Sequence, residues 1–425
     1  MAVNEMLAPG DRVALLVPGS LAYVDLTLLA SRQGVVPVPL DPRLTETEQG
    51  RILADVEPSV VVRSQDDLRR VAGLLDPDPP SPVPLVRPMH MTSGTTGAPK
   101  GVWSGLLDAA AARALLEEER DLWGFTATDV HLVLSPLYHS APLRFATGTL
   151  LAGGRVVVTG PFDAATVTRL IVEERPTSMF CVPTHLQRLF AHWGDVGVPD
   201  LSCFRLVAHA GAACPPPVKQ RLIELFPAGS TWEFYGSTEG QFTACRSEEW
   251  LRHPGTVGRA RPGRSLMVEP DGTIWCTVPD HARFTYWRAP EKTAQAWRET
   301  PRGPAFTVGD LGRLDAEGYL YLEGRREDLV ISGGVNVYPV EVENTLTEHP
   351  SVAEAAVFGV DDERWGQRVC AAVVGSASPE ELKAYAAERL APPKRPKEYF
   401  LVEALPHTAT GKIKRLQLAG LLGLE

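Results

Sequence analysis

Residues 92–102 read Thr92-Ser93-Gly94-Thr95-Thr96-Gly97-Ala98-Pro99-Lys100-Gly101-Val102. Gly94 and Gly97 allow backbone angles closed to other residues and let a ligand approach the main chain. Thr92, Ser93, Thr95 and Thr96 bring hydroxyls, and Lys100 brings a fixed positive charge. Amides, hydroxyls and ammonium together form a cradle for phosphate oxygens. It differs from the phosphate loop of NTPases, in which glycine directly precedes the lysine and Ser or Thr follows it. Here Pro99 precedes Lys100 and Gly101 follows. The segment follows an apolar run, Leu85–Met91, and a helix is expected after it. Taken alone, it also reads as an ordinary Ser/Thr/Gly turn.

Outward from this segment, the first half of the chain alternates between two patterns. Short β-rich apolar runs at Arg12–Val17, Val60–Arg63, Val130–Leu134, Arg155–Thr159 and Leu206–His209 predict strands. Between them, Leu21–Gln33, Ala109–Leu122, Ala164–Glu174 and Val218–Phe226 predict helices. Alternation of this kind implies an α/β fold, with parallel sheets covered by helices through right-handed crossovers. Residues 76–88 (DPDPPSPVPLVRP) are expected to form a stiff surface connection. After about residue 310 the pattern changes. Gly312–Asp315 and Tyr319–Glu323 predict a hairpin, and the charged segment Gly324–Asp328 predicts a hinge. A helix beginning near Tyr338–Pro339, strands at Ala353–Phe358 and Val369–Val374 and a helix at Pro379–Arg389 follow, and together predict a small α+β domain. The expected division is a nucleotide-binding domain over 1–324, with a small barrel-like β part, a hinge at 325–328 and a mobile domain over 329–425.

Composition excludes several classes. The chain has 425 residues, too many for one ordinary domain, and it is 44% hydrophobic and 22% charged, so it can bury a large core without disulfides or a structural metal. With 42 Lys and Arg against 52 Asp and Glu, the net charge of −10 argues against wholesale nucleic-acid binding. Cys181, Cys203, Cys214, Cys245, Cys276 and Cys370 are scattered without zinc spacing and are read as free thiols in a reducing compartment. No basic start with an apolar run and no stretch of about 18 apolar residues is present, so no secretion signal or membrane span is expected and a cytoplasmic location is the default.

Further motifs occur in order: YGSTE (Tyr235–Glu239), TVGDL (Thr307–Leu311), GRRED (Gly324–Asp328), SGGVNVYP (Ser332–Pro339) and TGKIKR (Thr410–Arg415). Together with residues 92–102, they resemble the signatures of the adenylate-forming superfamily of acyl-CoA synthetases, adenylation domains and luciferases. The resemblance runs from about Gly10 to Arg415. It implies ATP-dependent, AMP-forming activation of an acid, with CoA as the expected second substrate. Thr92, Ser93, Gly94, Thr95, Thr96, Gly97 and Lys100 would then hold phosphates. Glu239 would hold Mg²⁺, with Thr238 near the α-phosphate and Tyr235, Gly236 and Ser237 at the nucleotide. Gly211, Ala212 and Ala213 would lie against adenine. Asp310 would accept both ribose hydroxyls, completed by Arg325, and Gly333 and Gly334 would line a thiol passage. Lys412 would bridge the acid oxygen and the α-phosphate, whereas Lys414 and Arg415 are expected to face solvent. Glu327 stands where the family carries an Asp or Lys pivot.

The segment Ser135–Gly154 resembles the acyl-pocket lining of acyl- and aryl-CoA ligases, which would put His139 at the incoming carboxylate; it is also readable as a packing histidine. Finding His139 and Ser140 there disfavours an amino-acid substrate. Asp163 is expected as a helix N-cap, and Arg144 either meets a second anionic group or lies at the surface. Compared with the family, the chain is compact before Gly10 and between Arg63 and Thr92. A homodimer covering an exposed edge is therefore expected. The alternatives left open are an ATP-dependent diazotase that activates nitrite for an aryl amine, and an acid-to-carrier-protein ligase.

Overall fold

The run Val13-Ala14-Leu15 is apolar at every position because its strand, Arg12–Leu15, is buried on both faces. It pairs in parallel with Val36–Pro39 and Val60–Val62, and the helix Leu21–Arg32, capped by Ser20, packs on this small sheet. In the computed structural model, the chain is described over residues 6–92, 99–325, 328–332, 335–362, 364–407 and 413–424, except for the side chains of Arg325 and Asn336.

The second sheet decides where the site lies. Its strand order is Arg259–Ala260, Thr243–Arg246, Thr231–Glu233, Leu206–His209, Ser178–Cys181, Val130–Val133 and Arg155–Val158. The last five run parallel and the first two close the edge antiparallel. Helices Ala109–Trp123, Ser140–Leu151, Ala164–Glu174, Pro183–Val196 and Pro216–Leu225 supply the crossovers. As expected, Asp163 caps its helix by accepting the Thr166 amide at 2.8 Å. A third, antiparallel part contains the sheet Ser265–Val268, Ile274–Thr277, Gly303–Phe306 and Trp297–Thr300, together with the hairpin Asp310–Leu314/Leu320–Arg325. Phe242, Phe284, Phe306 and Leu320 form its core. Over residues 330–424 a five-stranded sheet with helices Pro339–Thr347 and Pro379–Arg389 has two apolar clusters of its own. Among the described residues, no helix is long and apolar enough to cross a membrane.

Three expectations need correction. The element after the glycine-rich segment is the strand Lys100–Trp103, which pairs antiparallel with Met91–Thr92; the helix begins only at Ala109. A hairpin fits because the valine and tryptophan of this short run find sheet partners in Thr285–Tyr286. The proline-rich stretch is a surface connection only in its first part. Val83, Val86 and Met89 are buried, because Leu85 and Met89 donate backbone bonds to Ser31 and Pro37 and draw the chain inward. Arg415 is largely withdrawn from solvent, pairing with Asp328 at 2.6 Å and Glu343 at 2.7 Å. Lys414 is exposed, as expected.

Burial has a pH consequence. It pushes His90 and His131 down to about 3 and His185 to about 4. Such a histidine binds its proton first in the unfolded chain. Stability is therefore intact above the unfolded value of about 6.5 and is lost as pH falls from there toward the folded values. Each group contributes up to about 1.4 kcal/mol per pH unit, so the three together give roughly 4 kcal/mol per unit near pH 5. Urea unfolding midpoints should drop steeply between pH 7 and 5; equal midpoints would contradict the neutral, buried state of these rings.

Candidate active site

Strands Val130–Val133, Ser178–Cys181, Leu206–His209 and Thr231–Glu233 are parallel neighbours, so the segments that leave their carboxyl ends gather on one side of the sheet. This is where open α/β sheets bind ligands. Those segments carry Ser135–His139, Gly211–Ala213 and Tyr235–Glu239, brought together from over a hundred residues of sequence. Gly211 has a φ of +93°, a conformation natural to glycine. At Gly236 a Cβ would lie 2.8 Å from both the Gln241 Cα and the Gly240 oxygen. The tight turn, closed by the Ser237 amide donating to the Gly240 oxygen at 2.8 Å, therefore requires glycine there.

Glu239, at the end of this turn, is buried. One of its carboxylate oxygens accepts the Tyr286 hydroxyl at 2.8 Å. Burial and the adjacent carboxylate raise Tyr286, so it stays protonated and donates. The Lys292 ammonium lies 4.0 Å from the Tyr286 ring centroid. Burial and the charge of Lys100 lower Lys292, while Glu239 opposes the shift. Lys100 itself is held by Asp55 at 3.0 Å. A buried carboxylate with one oxygen fixed by a tyrosine, flanked by two lysines, suits a site crowded with phosphate charge. A single carboxylate also fits Mg²⁺, which usually keeps waters and substrate phosphates as its other ligands. Among the described residues, no cluster of three or more His, Cys, Asp or Glu could hold a metal without such help.

Asp310 begins the hairpin strand and is buried, and its Oδ2 accepts the Tyr235 hydroxyl at 2.6 Å. In the hairpin register Asp310 lies opposite Arg325, and the Tyr235 ring packs on Phe242 with centroids 4.8 Å apart. The structure thus brings together Tyr235 and Asp310, which are 75 residues apart. The Ser237 hydroxyl is buried without a partner among the described residues, a polar atom consistent with a bound polar ligand.

A cavity of about 160 Å³ opens beside Ser237, Thr238 and Glu239. It runs between the helices Leu21–Arg32, Ala109–Trp123 and Ser140–Leu151, and its walls include Arg87, His90, Glu119 and Arg144. Arg144 therefore faces the cavity, not the surface: position 144 is one turn into a helix whose apolar residues are themselves buried, so its side chain is carried inward. His139 precedes the helix and packs its ring on Tyr138 at 4.3 Å, but it is not part of the lining, whereas Ser140 and His90 are. His90 Nδ1 donates to the Tyr138 carbonyl at 3.0 Å, and its depressed value keeps the ring neutral.

The pattern of AMP-binding enzymes matches residues 4–86 and 89–279, and that of the AMP-binding enzyme C-terminal domain matches residues 341–412. The chain belongs to the AMP-binding enzyme family. Among its relatives, it is 32% identical to the long-chain-fatty-acid–CoA ligase FadD13 of Mycobacterium tuberculosis, covering 97% of this chain and 88% of that protein. It is 33% identical to the fatty acid–[acyl-carrier-protein] ligase ScoC of Streptomyces coeruleorubidus, covering 97% and 87%. The structure superposes on ATP-bound MatB from Rhodopseudomonas palustris with a TM-score of 0.81 at 30% identity, over 98% of this chain and 89% of that one.

In this AMP-binding enzyme, Ser93, Gly94, Thr95, Thr96, Gly97, Glu327, Gly333, Gly334 and Lys412 lie outside the described residues. Thr92 and Lys100 face each other across the hairpin, with Lys100 next to Asp55. Sequence reasoning missed Tyr286, Lys292, Arg87 and His90. Tyr286 and Lys292 had no signal, being 47 residues or more from Glu239 in the chain. Arg87 had one: an arginine between Val86 and Pro88 is an odd residue for a run otherwise apolar.

Proposed function

We propose that the protein joins a carboxylic acid to CoA through an acyl adenylate. An oxygen of the acid bonds to the α-phosphorus of ATP, and the α–β bridging bond breaks with its electron pair leaving on pyrophosphate. The CoA sulfur, as thiolate, then bonds to the acyl carbon, and AMP departs with the electrons of the C–O bond. The supporting observation is the turn Tyr235–Glu239 beyond the carboxyl end of strand Thr231–Glu233, which carries Glu239 at the cavity and, through Tyr235, the hydrogen bond to Asp310. The CoA- and carrier-protein-dependent activities of FadD13 and ScoC support an acid as the substrate and a thiol as acceptor.

In this reading, Asp310 accepts the two ribose hydroxyls, with Arg325 opposite it in the register. Gly211, Ala212 and Ala213 face adenine, and Thr95, Thr96 and Lys100 hold the phosphates. Glu239, oriented by Tyr286, holds Mg²⁺. The ion when bound neutralises phosphate charge. Lys100 and Lys292 add positive charge on either side. Residues 325–328 are the hinge about which the C-terminal part alternates between an adenylating pose and a thiol-accepting pose.

The test is acid-dependent exchange of pyrophosphate into ATP. Wild-type enzyme should exchange with a fitting acid. Glu239→Gln keeps the Tyr286 contact but removes the charge, and should slow exchange about 10²- to 10³-fold. Exchange that is insensitive to this substitution would overturn the role given to Glu239.

A further inference from the structure

One wall of the cavity carries more positive charge than it can pair. Arg144, Arg261 and Arg264 share Glu118 and Glu119. Arg261 meets Glu119 at 2.8 Å, Arg264 meets Glu118 at 2.8 Å and Arg144 meets Glu119 at 3.5 Å. Glu118 also accepts His281 at 2.6 Å, and Glu119 accepts the Trp123 ring N–H at 3.2 Å. Burial would raise Glu119, but the charges of Arg144 and Arg261 overcome it and hold the carboxyl down at about 2. Both carboxylates are therefore already paired with arginines.

Arg87 is the cation left over. It lines the cavity, and among the described residues it has no hydrogen bond or ion pair. Burial, reinforced by the charge of Arg144, pushes it down to about 10. Its backbone is fixed between Pro84 and Pro88, and Leu85 and Met89 on either side bond to Ser31 and Pro37. A partly buried guanidinium that faces a cavity without an ion pair of its own is placed for an anion that arrives from outside. The charges acting on Arg87 are those of Arg144, Glu119, Arg264 and Arg261, whereas Lys100 and Lys292 are the cations that interact with each other at Glu239.

We infer that the acid activated here carries a second carboxylate, bound by Arg87 with Arg144 next to it, while the reacting carboxyl lies at the Thr238–Glu239 end. This rests on the acid-activating reading above and specifies its substrate class as small dicarboxylic acids. A cavity of about 160 Å³ is close to one that holds a benzene-sized molecule. The planar fork of a guanidinium matches a carboxylate with two parallel hydrogen bonds. A site whose buried polar group is left unmatched strongly rejects the analogue that lacks the partner.

The experiment compares succinate and glutarate with butyrate and valerate in acid-dependent pyrophosphate exchange. Wild-type enzyme should favour a diacid over the monoacid of equal chain length by about 100-fold or more in kcat/KM. Arg87→Met should lower the diacid value about 100-fold, mainly through KM, and leave the monoacid value unchanged or higher. Arg87→Lys should restore part of the loss. Without ATP, the favoured diacid should raise the melting temperature of the wild type but not of Arg87→Met. The variant alone should melt no lower than the wild type, because the charge it loses is only partly buried and has no ion pair. A wild-type preference for the monoacids, an equal loss for both classes in Arg87→Met, or a large drop in that variant's own melting temperature would each overturn the inference and leave acid activation standing. If no acid of any class supports exchange in a protein that binds ATP, the activating reading fails and the substrate class fails with it.

Discussion

Lys412→Ala should slow adenylate formation by about 10³-fold, the loss expected when a positioned donor is removed from a transition state crowded with negative charge. Thioester formation from a synthetic acyl adenylate and CoA should change by only about two- or three-fold, because in the thiol-accepting pose the C-terminal part would present Ser332 and its neighbours to the site in place of the lysine. Separate measurement of the two half-reactions, by pyrophosphate exchange and by thioester release, tests the difference. Comparable losses in both would show that Lys412 serves the fold, or a step common to both halves.

Lys219→Met should cause the largest loss of stability. The Lys219 ammonium is fully buried; it donates to His209 Nε2 at 2.7 Å and to Glu233 at 3.3 Å. Burial raises Glu233, and the lysine charge opposes that shift. Burial also drives His209 well down, and the same charge adds to the effect, so the ring stays a neutral acceptor. The triad ties helix Pro216–Leu225 to strands Leu206–His209 and Thr231–Glu233, whose carboxyl ends carry the loop at Gly211 and the turn at Tyr235. Methionine would leave the Glu233 carboxylate buried without its cation, at a cost of about 3–5 kcal/mol, or a fall of roughly 5–10 °C in melting temperature. Adding Glu233→Gln should recover part of that loss, since the penalty comes from the stranded charge. A single variant that melts like the wild type, or a double variant less stable than the single, would contradict this account.

The fold and the site were legible to different degrees. The parallel sheets were readable because strands buried on both faces are written as unbroken apolar runs, such as Val13–Leu15, and the helices between them have ordinary capping residues, such as Asp108 and Asp163. The order of motifs marked Tyr235, Glu239 and Asp310, but not the hydroxyl–carboxylate bond between Tyr235 and Asp310, which depends on the antiparallel hairpin folding back on the sheet. The antiparallel part was least visible: its strands are two to six residues long, and the strand after Pro99 carries lysine and glycine where periodicity would need apolar residues. Charges paired over long separations were invisible for a plainer reason. Nothing local in the chain links Lys100 to Asp55, Glu119 to Arg261, or Arg415 to Asp328.

The Arg415 pair bears on how the proposed reaction is timed. This side chain joins Asp328, at the end of the expected hinge, to Glu343 on helix Pro339–Thr347, three residues beyond Lys412 in sequence. In the proposed alternation, Asp328, Arg415 and Glu343 would travel as one body, and the frequency of that movement would set an upper bound on turnover however reactive the acid is.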